Sequence, residues 1–197
     1  MIKICTFHPH DCGLSAVAKA KVDALLQSDL PCRWVDYPTS VLPLTRTRAA
    51  RELESDDTHI LMLDSDVWHE DVVLDVTRMI GYNVDIVGGK YQMRGGDNAN
   101  ACQLAGKYFR MDATGLYEAL WVAAGALLIH RDVIESLPGD LFRTWVVDAD
   151  GEIRGCPEDV GFCMYAVNSG FDVHFDADCK TIHPIYTNPK TKVGKTK

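Results

Sequence analysis

The chain has 197 residues, of which 47% are hydrophobic and 24% charged, a makeup that allows one soluble domain with a sizeable core. Its 20 basic and 28 acidic residues leave a net charge of -8, which disfavours a surface built mainly to grip phosphate backbones. Seven cysteines, odd in number and without a C-x-x-C pair, indicate neither a disulfide framework nor a zinc ribbon, and point to a reducing cytosol.

Ile2 to Phe7 is a short apolar run ended by His8, Pro9, His10 and Asp11, the pattern of a buried strand running into a loop. From Leu14 the residues Val17, Ala18, Val22, Leu25 and Leu26 recur at helical spacing, and Ser28 to Pro31 closes that helix before a strand at Cys32 to Val35. A loop containing Pro38 and Pro43 leads to a second helix carrying Arg46, Arg48 and Arg51. His59 to Leu63 then forms an apolar run without alternation, the mark of a strand covered on both faces. Val72, Val73, Val76, Met79 and Ile80 define a third helix, and Asp85 to Val87 a strand before Gly88 and Gly89. The small, polar stretch from Gly95 to Gly106 reads as a surface loop, followed by Tyr108 to Met111 and Leu116 to Val122 as two paired strands. Ala126 to Ile129 is another strand, Val133 to Leu137 a short helix, Asp159 to Asn168 a longer one, and Val173 to Phe175 a last strand.

This alternation predicts an α/β fold with a mixed, mostly parallel sheet flanked by helices. One domain is expected over residues 1–187, followed by a lysine-rich tail over 188–197. The N-terminus lacks a signal-peptide pattern and no apolar run reaches membrane-spanning length, so a cytoplasmic protein without membrane insertion is expected.

Asp64-Ser65-Asp66 follows a buried strand directly. In extended chain the two carboxylates project from one face, at the strand end where open parallel sheets bind ligands. Two carboxylates that close repel one another, and Mg²⁺ or Mn²⁺ with oxygen ligands relieves the repulsion. Such a cation can neutralise a departing diphosphate. Arg48 and Arg51, three apart on one helix, share a face, and their planar forks suit phosphate. Arg46 is expected on the solvated face of that helix. His8, His10 and Cys12 have metal-ligand types but no established zinc spacing, and Gly194-Lys195-Thr196 lacks the first glycine of a P-loop.

Four segments in order resemble GT-A glycosyltransferases: RTRAARELESDDTHILMLDSD at Arg46 to Asp66, DIVGGKYQMR at Asp85 to Arg94, WVAAGALLIHRDVIESL at Trp121 to Leu137, and PEDVGFCMYAVNSGFDVHFDADCKTIH at Pro157 to His183. The resemblance spans nearly the whole chain and is nearest to the family 2-like members, in a minimal form. It implies a GT-A, Rossmann-like fold and a metal-dependent transfer from a UDP- or GDP-sugar to an acceptor hydroxyl, with inversion preferred and retention left open because both outcomes share the D-x-D.

The same resemblance assigns Asp64 and Asp66 to Mn²⁺ or Mg²⁺, with His183 as a further ligand. Thr6, His8, Asp36, Arg48, Ser65, Gly89 and Lys90, together with the two aspartates, border the donor. Tyr91, Arg94, Trp121 and Gly125 face the acceptor. At the start of the helix after Pro157, Asp159 is the implied base that deprotonates the acceptor, and Glu158 an acceptor or loop contact.

Gly139 to Cys156, with a hairpin-like Asp148 to Gly151, is the expected acceptor-facing insertion. A glycan, a protein, a lipid-linked sugar or a hydroxylated nucleobase all remain open as acceptors, the acidic charge counting against modified DNA. Two rival readings stand beside this one: a non-catalytic nucleotide-sugar or glycan-binding module, and a nucleotidyltransferase. Against the second, His8-Pro9-His10-Asp11 stands where a Gly-rich loop is expected.

Overall fold

The computed structural model describes residues 1–9, 13–93, 98–104, 106–149 and 152–182. The first half runs β1 (Ile2–His8), α1 (Ala16–Leu26), β2 (Cys32–Pro38), α2 (Leu42–Arg51), β3 (His59–Asp64), β4 (Trp68–His69), α3 (Val72–Gly81) and β5 (Ile86–Gly89). Five short strands follow: β6 (Asn98–Cys102), β7 (Tyr108–Arg110), β8 (Leu116–Glu118), β9 (Trp121–Val122) and β10 (Ala126–His130). The chain then passes through α4 (Arg131–Ser136), the hairpin β11 (Trp145–Ala149) and β12 (Glu152–Cys156), α5 (Glu158–Asn168), β13 (Val173–Asp176) and β14 (Thr181–Ile182).

A seven-stranded mixed sheet in the order β2-β1-β3-β10-β5-β13-β8 forms the centre. Pairing is parallel for β1 with β2, β1 with β3 and β5 with β13, and antiparallel where β10 and β8 enter. Five strands therefore share one direction, with β10 and β8 reversed. β1 is buried along its whole length, since both of its edges are paired and both of its faces covered.

Strand alternation divides the core between the two faces. Ile4, Leu61, Leu63, Val87 and Leu128 pack with Val22 and Leu25 of α1 and Val76 and Met79 of α3. Cys5, Phe7, Ile60, Met62, Leu127 and Phe175 pack with Ala49 and Ala50 of α2, Val133 and Ile134 of α4, and Phe162 and Ala166 of α5. Helices thus flank both faces, and the six described cysteines are all free thiols. No helix among the described residues is long and apolar enough to cross a membrane.

Two local expectations are corrected. Part of the presumed loop between Gly95 and Gly106 is β6, and 108–110 and 116–118 do not pair with each other. β7 and β9 both pair with β6, while β8 joins the main sheet beside β13. Asn98-Ala99-Asn100-Ala101-Cys102 lacks the β-branched and aromatic residues that usually mark a strand. Burial of Ala99 and Ala101 and backbone pairing order it instead. The hairpin expected inside 139–156 is present as β11 and β12.

Candidate active site

The chain leaves β1 for β2 on one side and reaches β3 on the other, so a switch point lies beyond the carboxyl ends of these three strands. A pocket of about 380 Å³ opens there, walled by Phe7, His8, Pro9, Thr39, Ser40 and Leu42 and closed by Asp64, Ser65 and Asp66. Its lining combines the rings of Phe7, His8 and Pro9 and the aliphatic carbons of Leu42 with the acidic turn.

Asp64 ends β3, and its backbone N–H donates to the Gly125 carbonyl at 3.0 Å. Its Oδ1 accepts from Arg46 Nη2 at 2.6 Å, and Arg46 Nη1 donates to Glu158 Oε1 at 2.5 Å. The guanidinium is 2% exposed and lies over the Phe7 ring, 5.5 Å from its centroid. Burial opposes its charge, but Asp64, Glu158 and Asp159 outweigh that and raise its pKa. Arg46 is therefore an internal cation joining the acidic turn to α5, which corrects its expected place on a solvated helix face. Arg46, Ala49 and Ala50 stand at i, i+3 and i+4, and the two small residues mark the stripe that packs inward. Arg48 points outward, its side chain 68% exposed and paired with Glu52 at 3.0 Å. Arg51 turns back to the carbonyls of Ile134, Leu137 and Gly139.

A second buried cation supports the turn from below. Lys21 Nζ donates to the Asp64 carbonyl at 2.9 Å and to the Val67 carbonyl. Burial lowers its pKa to about 8 against the pull of Asp64 and Asp66. Ser15 caps α1 by accepting from Ala18 N–H, and its hydroxyl donates to the Ser65 carbonyl at 2.8 Å. Sequence reasoning passed over Lys21, although its place between Ala18 and Leu25 at helical spacing puts it on the buried stripe.

Thr6, His8 and Asp36 come together at the ends of β1 and β2. Thr6 Oγ1 donates to Asp36 Oδ1 at 2.7 Å and accepts from Trp34 Nε1 at 3.0 Å. His8 Nε2 lies 2.9 Å from Asp36 Oδ2 and its Nδ1 2.9 Å from the Pro9 carbonyl. Two acceptors satisfy this ring fully only as the imidazolium, with each N–H donating. Burial disfavours that charge, but Asp36 and the Pro9 carbonyl prevail and raise the pKa.

Beyond Arg46, Asp159 occupies the first turn of α5. Its Oδ1 accepts from Val160 N–H at 2.8 Å and its Oδ2 from Ala124 N–H at 3.3 Å. Burial raises its pKa and Glu158 adds to the effect, while Arg46 and the two amides pull the other way. Tyr91 is buried nearby, with its hydroxyl accepting from Gly125 N–H at 3.2 Å and its pKa raised chiefly by burial. A Cβ on Gly125 would come within 2.8 Å of the Tyr91 hydroxyl and 2.9 Å of Val67 Cγ2, so only glycine fits between these elements.

The remaining expected residues are more dispersed. Gly89 is buried, and a Cβ there would meet Cys179 Sγ at 2.8 Å, so packing alone accounts for its size. Lys90 Nζ donates to the Ala113 carbonyl at 3.0 Å. Trp121 is half-buried and meets Tyr108 edge-on at 5.6 Å. Arg94, His183, His10, Cys12 and the 188–197 tail lie outside the described residues. Among the described residues no group of three or more His, Cys, Asp or Glu converges as metal ligands. The two aspartates still suit a hard divalent cation, because Mg²⁺-type sites commonly use one or two carboxylates and complete their shell with substrate phosphate and water.

No family model and no curated protein matches the sequence. Solved structures do match in shape. A197 from STIV shares 16% identity, with a TM-score of 0.66 over 93% of this chain and 85% of that one. S. aureus TarS 1-349 in complex with UDP-GlcNAc shares 11% identity, with a TM-score of 0.56 over 92% of this chain and 57% of that one. GalNAc-T7 with UDP, GalNAc and Mn²⁺ shares 11% identity, with a TM-score of 0.59 over 92% of this chain and 43% of that one. This chain therefore spans roughly half the length of the TarS and GalNAc-T7 chains. At these identities the likeness is one of fold alone: an α/β, GT-A-like architecture.

Proposed function

We propose that the chain is a metal-dependent glycosyltransferase that moves a sugar from a UDP- or GDP-sugar to an acceptor hydroxyl with inversion. The observation that carries this reading is the junction of a nucleoside-sized pocket with the Asp64-Ser65-Asp66 turn, linked by one buried arginine to a second carboxylate site on α5. TarS with UDP-GlcNAc and GalNAc-T7 with UDP and Mn²⁺ adopt the same kind of fold, which supports the donor class and the cation.

In this reading Phe7, Pro9 and Leu42 receive the base, while Thr6, His8 and Asp36 hold the pocket wall in shape. Asp66, with the carboxylate oxygen of Asp64 that Arg46 leaves open, would hold Mn²⁺ or Mg²⁺, and His183 is the further ligand proposed. The cation would supply charge neutralisation of the leaving diphosphate. Arg46 keeps Asp64 oriented toward the pocket, and Lys21 fixes the backbone that presents both acids. Asp159 takes the proton from the acceptor hydroxyl as that oxygen attacks the anomeric carbon. Its raised pKa makes it a stronger base than an exposed aspartate. Glu158 acts through Arg46, holding the cation between the two acidic corners.

The test is a donor screen with Mn²⁺, reading release of nucleoside diphosphate from UDP- and GDP-sugars with water as acceptor. Release from one donor that stops with EDTA, and is lost in Asp64→Asn with Asp66→Asn, is the expected result. Absence of turnover with every donor, combined with unchanged nucleotide affinity in Asp159→Asn, would mark a non-catalytic binding module instead.

A further inference from the structure

A second concavity lies apart from the proposed nucleotide pocket, lined by β7, β8 and the connections that precede each of them. It measures about 740 Å³, roughly twice the volume of the first, and belongs to none of the roles assigned above. Tyr108 and Tyr117 line it, as residues 43% and 39% exposed. Burial of such rings by a ligand seated in the groove would be favourable. Both rings are held from behind: Tyr108 meets Trp121 edge-on at 5.6 Å, and Tyr117 leans on Phe109 at 5.2 Å. Each ring is therefore backed by a second aromatic side chain.

A short stretch of chain connects the ring behind Tyr108 with the contact to the proposed base. Trp121 behind Tyr108 is three residues from Ala124, whose N–H contacts Asp159, and three residues span at most about 10 Å. Lys90 Nζ donates to the carbonyl of Ala113, a residue of the groove wall. Polar side chains around the rings balance in sign: Lys107 and Arg110 face Asp112 and Glu118, and Arg110 already pairs with Asp112 at 3.2 Å. A site for a nucleic-acid strand combines stacking rings with a net positive wall. Here the rings are present and the positive excess is not, and the whole chain carries -8.

We infer that this groove binds a neutral oligosaccharide, the acceptor or its extension, by stacking sugar rings on Tyr108 and Tyr117 within reach of paired charged and amide groups. The partly positive C–H face of a pyranose meets the negative face of an aromatic ring. Hydroxyls around the sugar edge, each donor and acceptor, suit a rim of carboxylates, guanidinium and the Gln103 amide. Its role as acceptor site rests on the glycosyl-transfer reading, but saccharide binding does not.

The experiment titrates the donor-free protein with maltotriose, chitotriose and mannotriose, and separately with a ten-nucleotide oligothymidylate, following tyrosine ring signals by NMR. One trisaccharide should shift Tyr108 and Tyr117. Tyr108→Ala should weaken it about tenfold, whereas Tyr108→Phe, which keeps the ring, should stay within about twofold. Asp112→Ala alters a side chain 73% exposed, spares the core, and should weaken binding about threefold. Metal-dependent donor hydrolysis should be unchanged in all three variants. If no trisaccharide moves these signals, if Tyr108→Ala binds like the parent, or if the oligothymidylate binds more tightly, the inference is overturned. If saccharide binding follows the pattern but no donor is hydrolysed, the groove stands and the transfer reading falls.

Discussion

Arg46 sits between Asp64 at 2.6 Å and Glu158 at 2.5 Å with almost no solvent on the guanidinium, so removing it leaves two carboxylates facing each other without a cation. Breaking a buried pair commonly costs about 3–5 kcal/mol, and because Asp64 and Glu158 remain 29% and 18% exposed, about 3 kcal/mol is expected for Arg46→Met. Urea denaturation reads that loss. Arg46→Lys keeps the charge but cannot serve both partners with one planar fork, so it should recover part of the stability and little of the donor hydrolysis. Asp159 presents the reverse balance. Burial raises its folded pKa above the usual aspartate value near 4, so the native state holds the proton more tightly than the unfolded chain. Its contribution is therefore most favourable below the unfolded pKa and declines as pH rises through the folded one. Asp159→Asn should match or exceed the parent in Tm at pH 7 while losing about 10²- to 10⁴-fold in transfer. In the parent, kcat/KM should fall on acidification with an inflection above that of an ordinary aspartate. An inflection at or below pH 4 would remove Asp159 from the role.

At the scale of elements, the acidic turn is held by three separate pieces of chain: α1 through Lys21 and Ser15, α2 through Arg46, and the β9–β10 connection through Gly125. Gly125→Ala would force a methyl group against Tyr91 and Val67, an overpacking worth about 1–3 kcal/mol. The Asp64 amide bonds to the Gly125 carbonyl, so the strain passes to the turn, and the KM for donor should rise more than kcat falls. A variant with parental Tm and KM would show that the turn does not depend on this contact. The elements that hold the turn were legible to different degrees. β3 and its Asp64-Ser65-Asp66 ending stand out because a doubly covered strand is an unbroken apolar run followed abruptly by charge. Arg46 and Lys21 did not stand out, since a charged residue in a helix is read as solvated unless its i+3 and i+4 neighbours are weighed. For both, those neighbours are small or apolar. β6 was missed for another reason: alternating Asn and Ala carry little strand preference, and distant partners decide their conformation.

Across the whole molecule, the carboxyl ends of β1, β2 and β3 bring Thr6, His8, Asp36 and the Asp64-Ser65-Asp66 turn to one end of the sheet, and Arg46 joins that turn to Glu158 on α5. Fold class was readable because alternating strands and helices constrain topology strongly. The 740 Å³ groove was not, because it depends on how β7, in a separate three-stranded sheet, lies against the edge strand β8 of the main sheet. The arrangement at the donor end predicts how ligands should stabilise the fold. Asp64 is already charge-paired with Arg46, so a divalent cation alone gains little from the two aspartates. A nucleoside diphosphate alone meets their negative charge. Together each supplies what the other lacks, and at a concentration one hundred times Kd the pair should add about 2.7 kcal/mol. For a chain of this size that corresponds to a rise in Tm of roughly 5–10 °C. Differential scanning fluorimetry with Mn²⁺, UDP, GDP and each combination separates the cases. The expected pattern is a shift far larger than the sum of the separate ones, abolished by EDTA and by Asp66→Asn. A shift with nucleotide alone that Mn²⁺ does not enlarge would mean that the acidic turn plays no part in holding a cation against the diphosphate.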